Sequence, residues 1–123
     1  MKITHYKELI VWQKSIDLVD QVYIITRSFP KTELYALASQ MQRSAVAIPS
    51  NIAEGQSRNH LLEYIQFLGI AYASAAELET QVIISKRQYP DLNYQKAEAL
   101  LLEVQKMLNV LIRNLKAISK SST

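Results

Sequence analysis

The last third of the sequence carries the most regular apolar pattern in the chain. Seven apolar residues there are spaced alternately four and three positions apart: Ala97, Leu101, Val104, Leu108, Leu111, Leu115 and Ile118. This spacing places all seven along one side of a helix and is typical of the seam of a left-handed helix pair or bundle. Because such a side must be buried against other helices, the pattern predicts a helical fold.

Composition points the same way. The chain has 123 residues, 49% of them hydrophobic and 20% charged, which predicts one globular domain spanning residues 1–123. Two Gly and three Pro are too few turn-formers for a β-sandwich or barrel. The absence of Cys fits a reducing cytoplasm. No segment approaches the roughly 18 apolar residues of a membrane span, so we expect a soluble, cytoplasmic protein without membrane association.

Three earlier segments repeat the helical period, and the four helices are predicted at roughly residues 7–28, 32–54, 59–87 and 94–118. In the first, the main stripe is Trp12, Ile16, Val19 and Tyr23, and a second row is formed by Val11, Leu18, Val22 and Ile25. The third helix is predicted to begin at Asn59 as its N-cap. The fold class predicted is all-α, an antiparallel up-and-down four-helix bundle.

The second helix contains Pro49, which removes the hydrogen bond to the carbonyl of Ala45. The apolar stripe continues to Ile52, so a kinked helix is predicted rather than a broken one. We expect the Asn51 side chain to satisfy the freed carbonyl and Gly55 to end the helix as its C′ residue.

Residues suited to catalysis are few. His5 and His60 each precede a carboxylate by three positions, Glu8 and Glu63, whereas helical di-iron sites use the reverse order and further inward carboxylates. Glu77 and Glu79 stand about 200° apart on a helix and do not converge. Neither a phosphate-binding loop nor a nucleophile elbow occurs. We therefore predict a protein that is not an enzyme and holds neither metal nor cofactor.

The densest cluster of unusual residues runs from Ile48 to Arg58, and two interpretations of it stay open. In the first, Pro49, Ser50, Asn51, Glu54 and Gly55 form a structural motif and Arg58 is solvated. In the second, the kink presents cations to the phosphates of a nucleic acid. The candidates are Arg43, Arg58, Lys31, Lys86 and Arg87. A net charge of +3 mildly favours a polyanionic partner, although no basic tail or arm carries the excess.

Over about residues 6 to 87 the chain resembles the bacterial four-helix-bundle proteins encoded in 23S ribosomal RNA intervening sequences. The matching residues are Tyr6 to Ser15, Phe29-Pro30, Gln40 to Arg43, Ile48 to Gly55 with Arg58, Phe67-Leu68, Ala71, Ser74 and Glu77 to Glu79. Tyr72-Ala73 departs from relatives that often carry a basic residue and Gly before Ser74. The departure weakens the prediction of a basic surface at that point.

The resemblance implies an up-and-down bundle assembled as a homopentameric ring. A more distant similarity to the accessory variability proteins of diversity-generating retroelements implies RNA or DNA and a reverse transcriptase as partners. Independently, Leu100, Met107 and Ile112 widen the apolar arc of the last helix and favour self-association. We thus expect an oligomer that contacts RNA or DNA phosphates. The alternative is a scaffold that docks a partner polypeptide and has no nucleic-acid role.

Overall fold

Four long helices make up most of the fold. The computed structural model describes residues 5–121. The helices are α1 (Ile10–Arg27), α2 (Leu37–Ser57), α3 (Leu61–Gln88) and α4 (Gln95–Ser121), with short 3₁₀ turns at Tyr6–Glu8 and Lys31–Glu33. No strand occurs between residues 5 and 121. The prediction of an all-helical chain with four helices is therefore confirmed.

The helices pack in a closed cycle, in which α1 and α3 each contact both α2 and α4. Side-chain pairs give the direction of α3 and α4: Lys86 meets Glu98 at 2.9 Å, and Glu79 meets Gln105 at 3.3 Å. The partner moves back along α4 as the position advances along α3, so these helices are antiparallel. One core fills the space between the four helices. Its largest fully buried side chains are Leu18, Met41, Ile48, Ile52, Leu68, Leu78 and Leu108.

The buried face of α1 differs from the main stripe predicted for it. Leu18 and Val22 of the second row are fully enclosed, whereas Trp12 and Val19 of the first row are only partly buried. The helix packs against both α2 and α4, so more than one side of it is covered. The broad apolar face was informative, but periodicity alone did not identify its centre.

The α4 seam is buried over its first half and opens toward its end. Ala97, Leu101, Val104 and Leu108 are enclosed, whereas Ile118 is 54% exposed. The flanking arc of Leu100, Met107 and Ile112 packs against the core of its own chain. These three residues are partly buried, so α1 and α3 cover part of the apolar arc that was predicted to favour self-association, and self-association stays a prediction.

Helix α2 continues through Pro49 without interruption, as predicted. The Asn51 amide donates to the carbonyl of Ala47 at 2.7 Å, one turn back along the helix, and does not reach the carbonyl of Ala45 that the proline frees. The bend predicted at Pro49 stays a prediction.

The end of α2 corrects the role expected for Gly55. The helix runs on to Ser57 and Gly55 is buried within it. A Cβ at this position would lie 2.6 Å from the Cβ of Phe67, so the glycine is needed for the close approach of α2 and α3. The left-handed residue is Asn59, with φ of 56°. Because a residue in that conformation does not serve as an N-cap, α3 begins instead after His60.

Helix α3 is long and apolar enough to cross a membrane by length and composition alone, which corrects the expectation that no segment comes near that limit. One side of it lines the core through Leu68, Ala71, Ala75 and Leu78. The core helix of a globular protein meets the same criterion.

The connectors at one end of the molecule are joined by side chains. The Tyr89 hydroxyl, which follows α3, donates to Glu33 at 2.5 Å, and its ring lies 4.9 Å from that of Phe29. The hydroxyl of buried Tyr94 donates to the carbonyl oxygens of Ser85 and Tyr89 at 3.1 and 2.9 Å. These contacts bring the α1–α2 connector against the α3–α4 connector.

Candidate nucleic-acid interface

Arg58 is held in place where α2 passes into α3. It donates to Glu54 at 2.8 Å and to Glu63 at 3.5 Å, and its guanidinium carbon lies 5.0 Å from the centre of the Phe67 ring. The hydrogen bond to Glu54 is the main cause of a raised Arg58 pKa. Two carboxylates thus compensate this charge, which supports the structural interpretation of the cluster.

The rest of the cluster is also used within the chain. Pro49 and Gly55 are buried, Asn51 bonds the backbone, and Glu54 pairs with Arg58, while Ser50 is exposed. His60 Nδ1 lies 3.8 Å from Glu63 Oε2, a distance too long for a strong hydrogen bond. Among residues 5–121, no group of three or more His, Cys, Asp or Glu side chains is placed to hold a metal ion.

The remaining cations predicted to bind phosphates lie apart from Arg58. Lys86 pairs with Glu98 at 2.9 Å, and Arg87 beside it is exposed. Lys31 is near the same end, because Glu33 in its 3₁₀ turn accepts a hydrogen bond from Tyr89. Arg58 lies just before the start of α3, whereas Lys86 and Arg87 lie at its end. At the usual helical rise the 28 residues of α3 separate these two ends by about 40 Å. The five cations therefore do not form one patch.

A cationic face on α4 was missed by the sequence analysis. It consists of exposed polar residues: Lys106, Asn109, Arg113, Lys116 and Lys120. At about 100° per residue the four cations fall within an arc of about 80°. No Asp or Glu follows Glu103 in the sequence. We call this surface the α4 cationic face, and it corrects the expectation that no arm carries the excess charge.

The surroundings of the α4 cationic face leave most of its charge uncompensated. Within residues 5–121, Lys106, Arg113 and Lys116 form no ion pair. A shallow groove of about 420 Å³ runs along the face and is lined by Asn109, Ile112, Arg113, Lys116, Ala117 and Lys120. The signal that could have found it is the spacing of cations at i, i+7, i+10 and i+14 in a stretch without acidic residues.

Arg43 belongs to a different surface, a groove of about 570 Å³ between α2 and α3. The groove is lined by Gln40, Arg43, Ser44, Ala47, Glu77 and Gln81. Glu79 lies instead on the α4 side of α3, where its carboxylate accepts from Gln105. Glu77 and Glu79 therefore diverge, as their spacing predicts.

The fold of the chain is similar to that of a protein of unknown function from the S23 ribosomal protein family of Bacteroides thetaiotaomicron VPI-5482, with a TM-score of 0.72 and 21% identity. The match covers 84% of this chain and 98% of that one. Among curated proteins no match is found. A family model for the 23S rRNA-intervening sequence proteins matches residues 7–110. The match covers most of the sequence and confirms the resemblance, so the chain belongs to the 23S rRNA-intervening sequence protein family.

Proposed function

We propose that the protein is a non-enzymatic, cytoplasmic oligomer that binds RNA or DNA through their phosphates. The observation that carries the proposal is the α4 cationic face, where Lys106, Arg113 and Lys116 form no ion pair among the described residues and no Asp or Glu follows Glu103. Phosphate contacts of this kind position a protein on a nucleic acid without reading its sequence. We therefore expect similar affinity for different sequences at the α4 cationic face.

Cations that are not paired with a carboxylate are expected to contribute most to nucleic-acid binding. A phosphate gains most from a cation that is not already paired, and counterions are released where such cations meet the polyanion. Arg58 and Lys86 each hold a carboxylate within 2.9 Å. We expect these two to contribute less than Arg113 and Lys116, and Lys31 and Arg87 to lie outside the main contact.

Self-association is part of the proposal, because one chain offers only a short cationic face. Exposed apolar residues line two further grooves: Ile24 and Val46 between α1 and α2, and Ile83 and Leu102 between α3 and α4. These grooves lie on opposite sides of the four-helix cycle. A closed ring needs two different surfaces that meet head to tail, and the resemblance favours five subunits.

Light scattering after size exclusion tests the assembly. We expect a mass several times 14.1 kDa for the native chain, and a lower mass after Leu102→Glu, which places a charge in an apolar contact. Ile112→Glu is a less direct variant because Ile112 is partly buried against the core of its own chain, so the charge would also disturb the fold. A native chain that stays monomeric at micromolar concentration would contradict the ring.

Filter binding across a salt series tests the phosphate contacts. Each contact contributes roughly 0.7 to 0.9 to the slope of log affinity against log salt. The double variant Arg113→Gln, Lys116→Gln should lower that slope by about two such contacts and weaken binding to all sequences alike. The matched control is Lys31→Gln, Arg87→Gln, which removes the same charge at other exposed positions.

Three outcomes of this experiment would count against the proposal. If the control pair lowered the salt slope more than the Arg113 and Lys116 pair, the phosphate contacts would lie at the end of the molecule that bears Lys31. Absence of binding at low salt, or affinity that does not depend on salt, would remove the nucleic-acid role.

The second candidate function is a scaffold that docks a partner polypeptide such as a reverse transcriptase. It is favoured by an exposed apolar pair in the α1–α2 connector, where Leu34 is 55% and Tyr35 91% exposed. Aromatic residues are enriched at protein interfaces. Loss of partner binding after Tyr35→Ser in a protein that does not bind nucleic acid would support this function.

A further inference from the structure

The groove between α2 and α3 collects polar groups that have no partner in the protein. Ser44 and Gln81 are buried, at 5% and 8% exposure, and the Gln81 Oε1 atom accepts no hydrogen bond. Among the described residues, the side chains of Gln40, Arg43 and Glu77 also form no hydrogen bond or ion pair. Buried polar groups are nearly always satisfied, so the unpartnered amide of Gln81, a residue that lines the groove, marks a place where a group from outside the protein can bind.

The chemistry of the groove specifies what it can bind. Gln81 Oε1 and the Glu77 carboxylate both require hydrogen-bond donors, and Ser44 of α2 adds a hydroxyl to the lining of the same groove. Arg43, exposed on α2, supplies a planar cation able to meet a phosphate or to stack on a flat ring. The Gln81 oxygen is enclosed in this conformation, and the proposed contact requires rotation about the terminal side-chain bond, which is soft, to bring the oxygen to the groove.

A nucleobase with an exocyclic amino group fits this set. Carboxylates accept from the amino group of cytosine, and glutamine pairs with the amino edge of adenine. Uracil offers one ring N–H between two carbonyls and would place acceptors against acceptors. Unpaired bases of single-stranded RNA present these edges to proteins, whereas bases inside a duplex do not.

We propose that the α2–α3 groove takes one unpaired, amino-bearing nucleobase of the bound nucleic acid, held by Gln81 and Glu77. This inference rests on the proposed nucleic-acid function and adds a specific contact to it. No α4 residue lines the groove, so the base contact and the phosphate contacts are separable by mutation.

Fluorescence anisotropy with labelled single-stranded eight-nucleotide RNAs of adenine, cytosine or uracil tests the proposal at one fixed salt concentration. We expect the native protein to bind the adenine or cytosine RNA at least about fivefold more tightly than the uracil RNA. Gln81→Leu should remove this preference and leave the affinity for the uracil RNA unchanged. Gln66→Leu, an exposed glutamine of the same helix outside the groove, is the matched control.

Thermal unfolding separates a binding role from a structural one. Gln81→Leu removes an unsatisfied buried acceptor, so the melting temperature of the free protein should stay level or rise. A structural role predicts a fall. Glu77→Gln, at an exposed position, covers the case in which Gln81→Leu fails to fold, and it should shift preference toward uracil because an amide also donates.

The failure of this inference is distinguishable from that of the proposed function. Equal affinity for all three RNAs, with salt dependence still lowered in the Arg113 and Lys116 double variant, would overturn the base contact alone. Absence of binding to every RNA would overturn both. Dissociation of the oligomer after Gln81→Leu, without any base preference in the native protein, would assign the groove to a second copy of the chain and overturn the base contact.

Discussion

The α2–α3 junction and the C-terminal half of α4 both carry arginine, in opposite surroundings. At the junction, Arg58 touches two carboxylates and the Phe67 ring. On α4, Arg113 lies between Lys106 and Lys116 on a face without acidic residues. The first arginine joins two helices, and the second is available for a partner. Net charge alone does not distinguish these roles, because compensation by neighbours decides them.

The comparison also separates what belongs to the family from what belongs to this chain. The family match ends at residue 110 and includes the junction. Arg113 and Lys116, which form no ion pair among residues 5–121, lie beyond it. The matched residues at the junction are engaged in packing, whereas the strongest uncompensated charge lies outside the matched range. Family membership therefore accounts for the fold more directly than for the proposed ligand contact.

The largest effect is expected at Gly55, since the junction depends on close packing there. Gly55→Val places a branched side chain where even a Cβ would lie 2.6 Å from that of Phe67. Such overpacking typically costs about 1–3 kcal/mol of unfolding free energy. Urea unfolding followed by circular dichroism measures the loss.

Gly69 in α3 provides the matched control, because a Cβ there has no neighbour within 4 Å. Gly69→Ala should raise the free energy of unfolding by about 0.5–1 kcal/mol through helix propensity alone. If Gly55→Val were as stable as the native chain, the packing argument for the junction would be wrong.

The next largest effects are expected when each of the two arginines is replaced, and they should fall on different properties. Arg113→Ala should weaken nucleic-acid binding at every sequence and lower the salt slope by roughly 0.7 to 0.9, with little change in stability. Arg58→Ala should do the reverse, lowering the urea midpoint with only a small change in affinity, because it leaves Glu54 and Glu63 without their cation.

Both arginine variants are measured by filter binding and by urea unfolding on the same preparations. Equal losses of affinity in the two variants would restore Arg58 as a phosphate contact, as the sequence hypothesis had it. The comparison between the two regions would then fail.

The fold was predictable where periodicity carries the information, and the cationic face was not. The four–three spacing of α4 and the helical stripes of the other segments identified four helices correctly. Gly55 was misassigned because a glycine near a helix end suits either a C′ position or a close helix contact. Only its partner Phe67, twelve residues later, decides between them. The junction residues were recognised by type, but their ion pairs depend on the turn at Asn59.

The α4 cationic face is not visible when charge is counted over a whole half of the sequence. Residues 62–123 hold seven basic and six acidic residues, which reads as nearly neutral. All six acidic residues lie at or before Glu103, so the cancellation is between different parts of the molecule. Helical position had to be combined with charge before the face became visible.

The smallest effect concerns the end of the molecule away from the junction, where Tyr89 donates to Glu33 at 2.5 Å. The pKa of Tyr89 is raised, first by this hydrogen bond and then by burial and the nearby negative charge. The protonated hydroxyl makes the bond, so the folded state holds the proton more tightly than the unfolded chain, where tyrosine titrates near pH 10. The contribution to stability is therefore complete below about pH 10 and is lost as the pH rises through the raised pKa of the folded state.

Urea unfolding of the native chain and of Tyr89→Phe, each from pH 7 to 11, measures this contribution. The difference in unfolding free energy should stay constant up to about pH 9 and narrow above pH 10, while the other tyrosines titrate equally in both proteins and cancel. Tyr35 is 91% exposed and serves as the control. The difference in unfolding free energy between the native chain and Tyr35→Phe should not narrow with pH. The Tyr89 contact depends on a phenolic proton, so it weakens as the pH rises. The Arg58 contacts at the junction depend on a guanidinium, which keeps its charge throughout this pH range. A difference between native and Tyr89→Phe that persists unchanged to pH 11 would show that the hydroxyl does not depend on its proton for this contact.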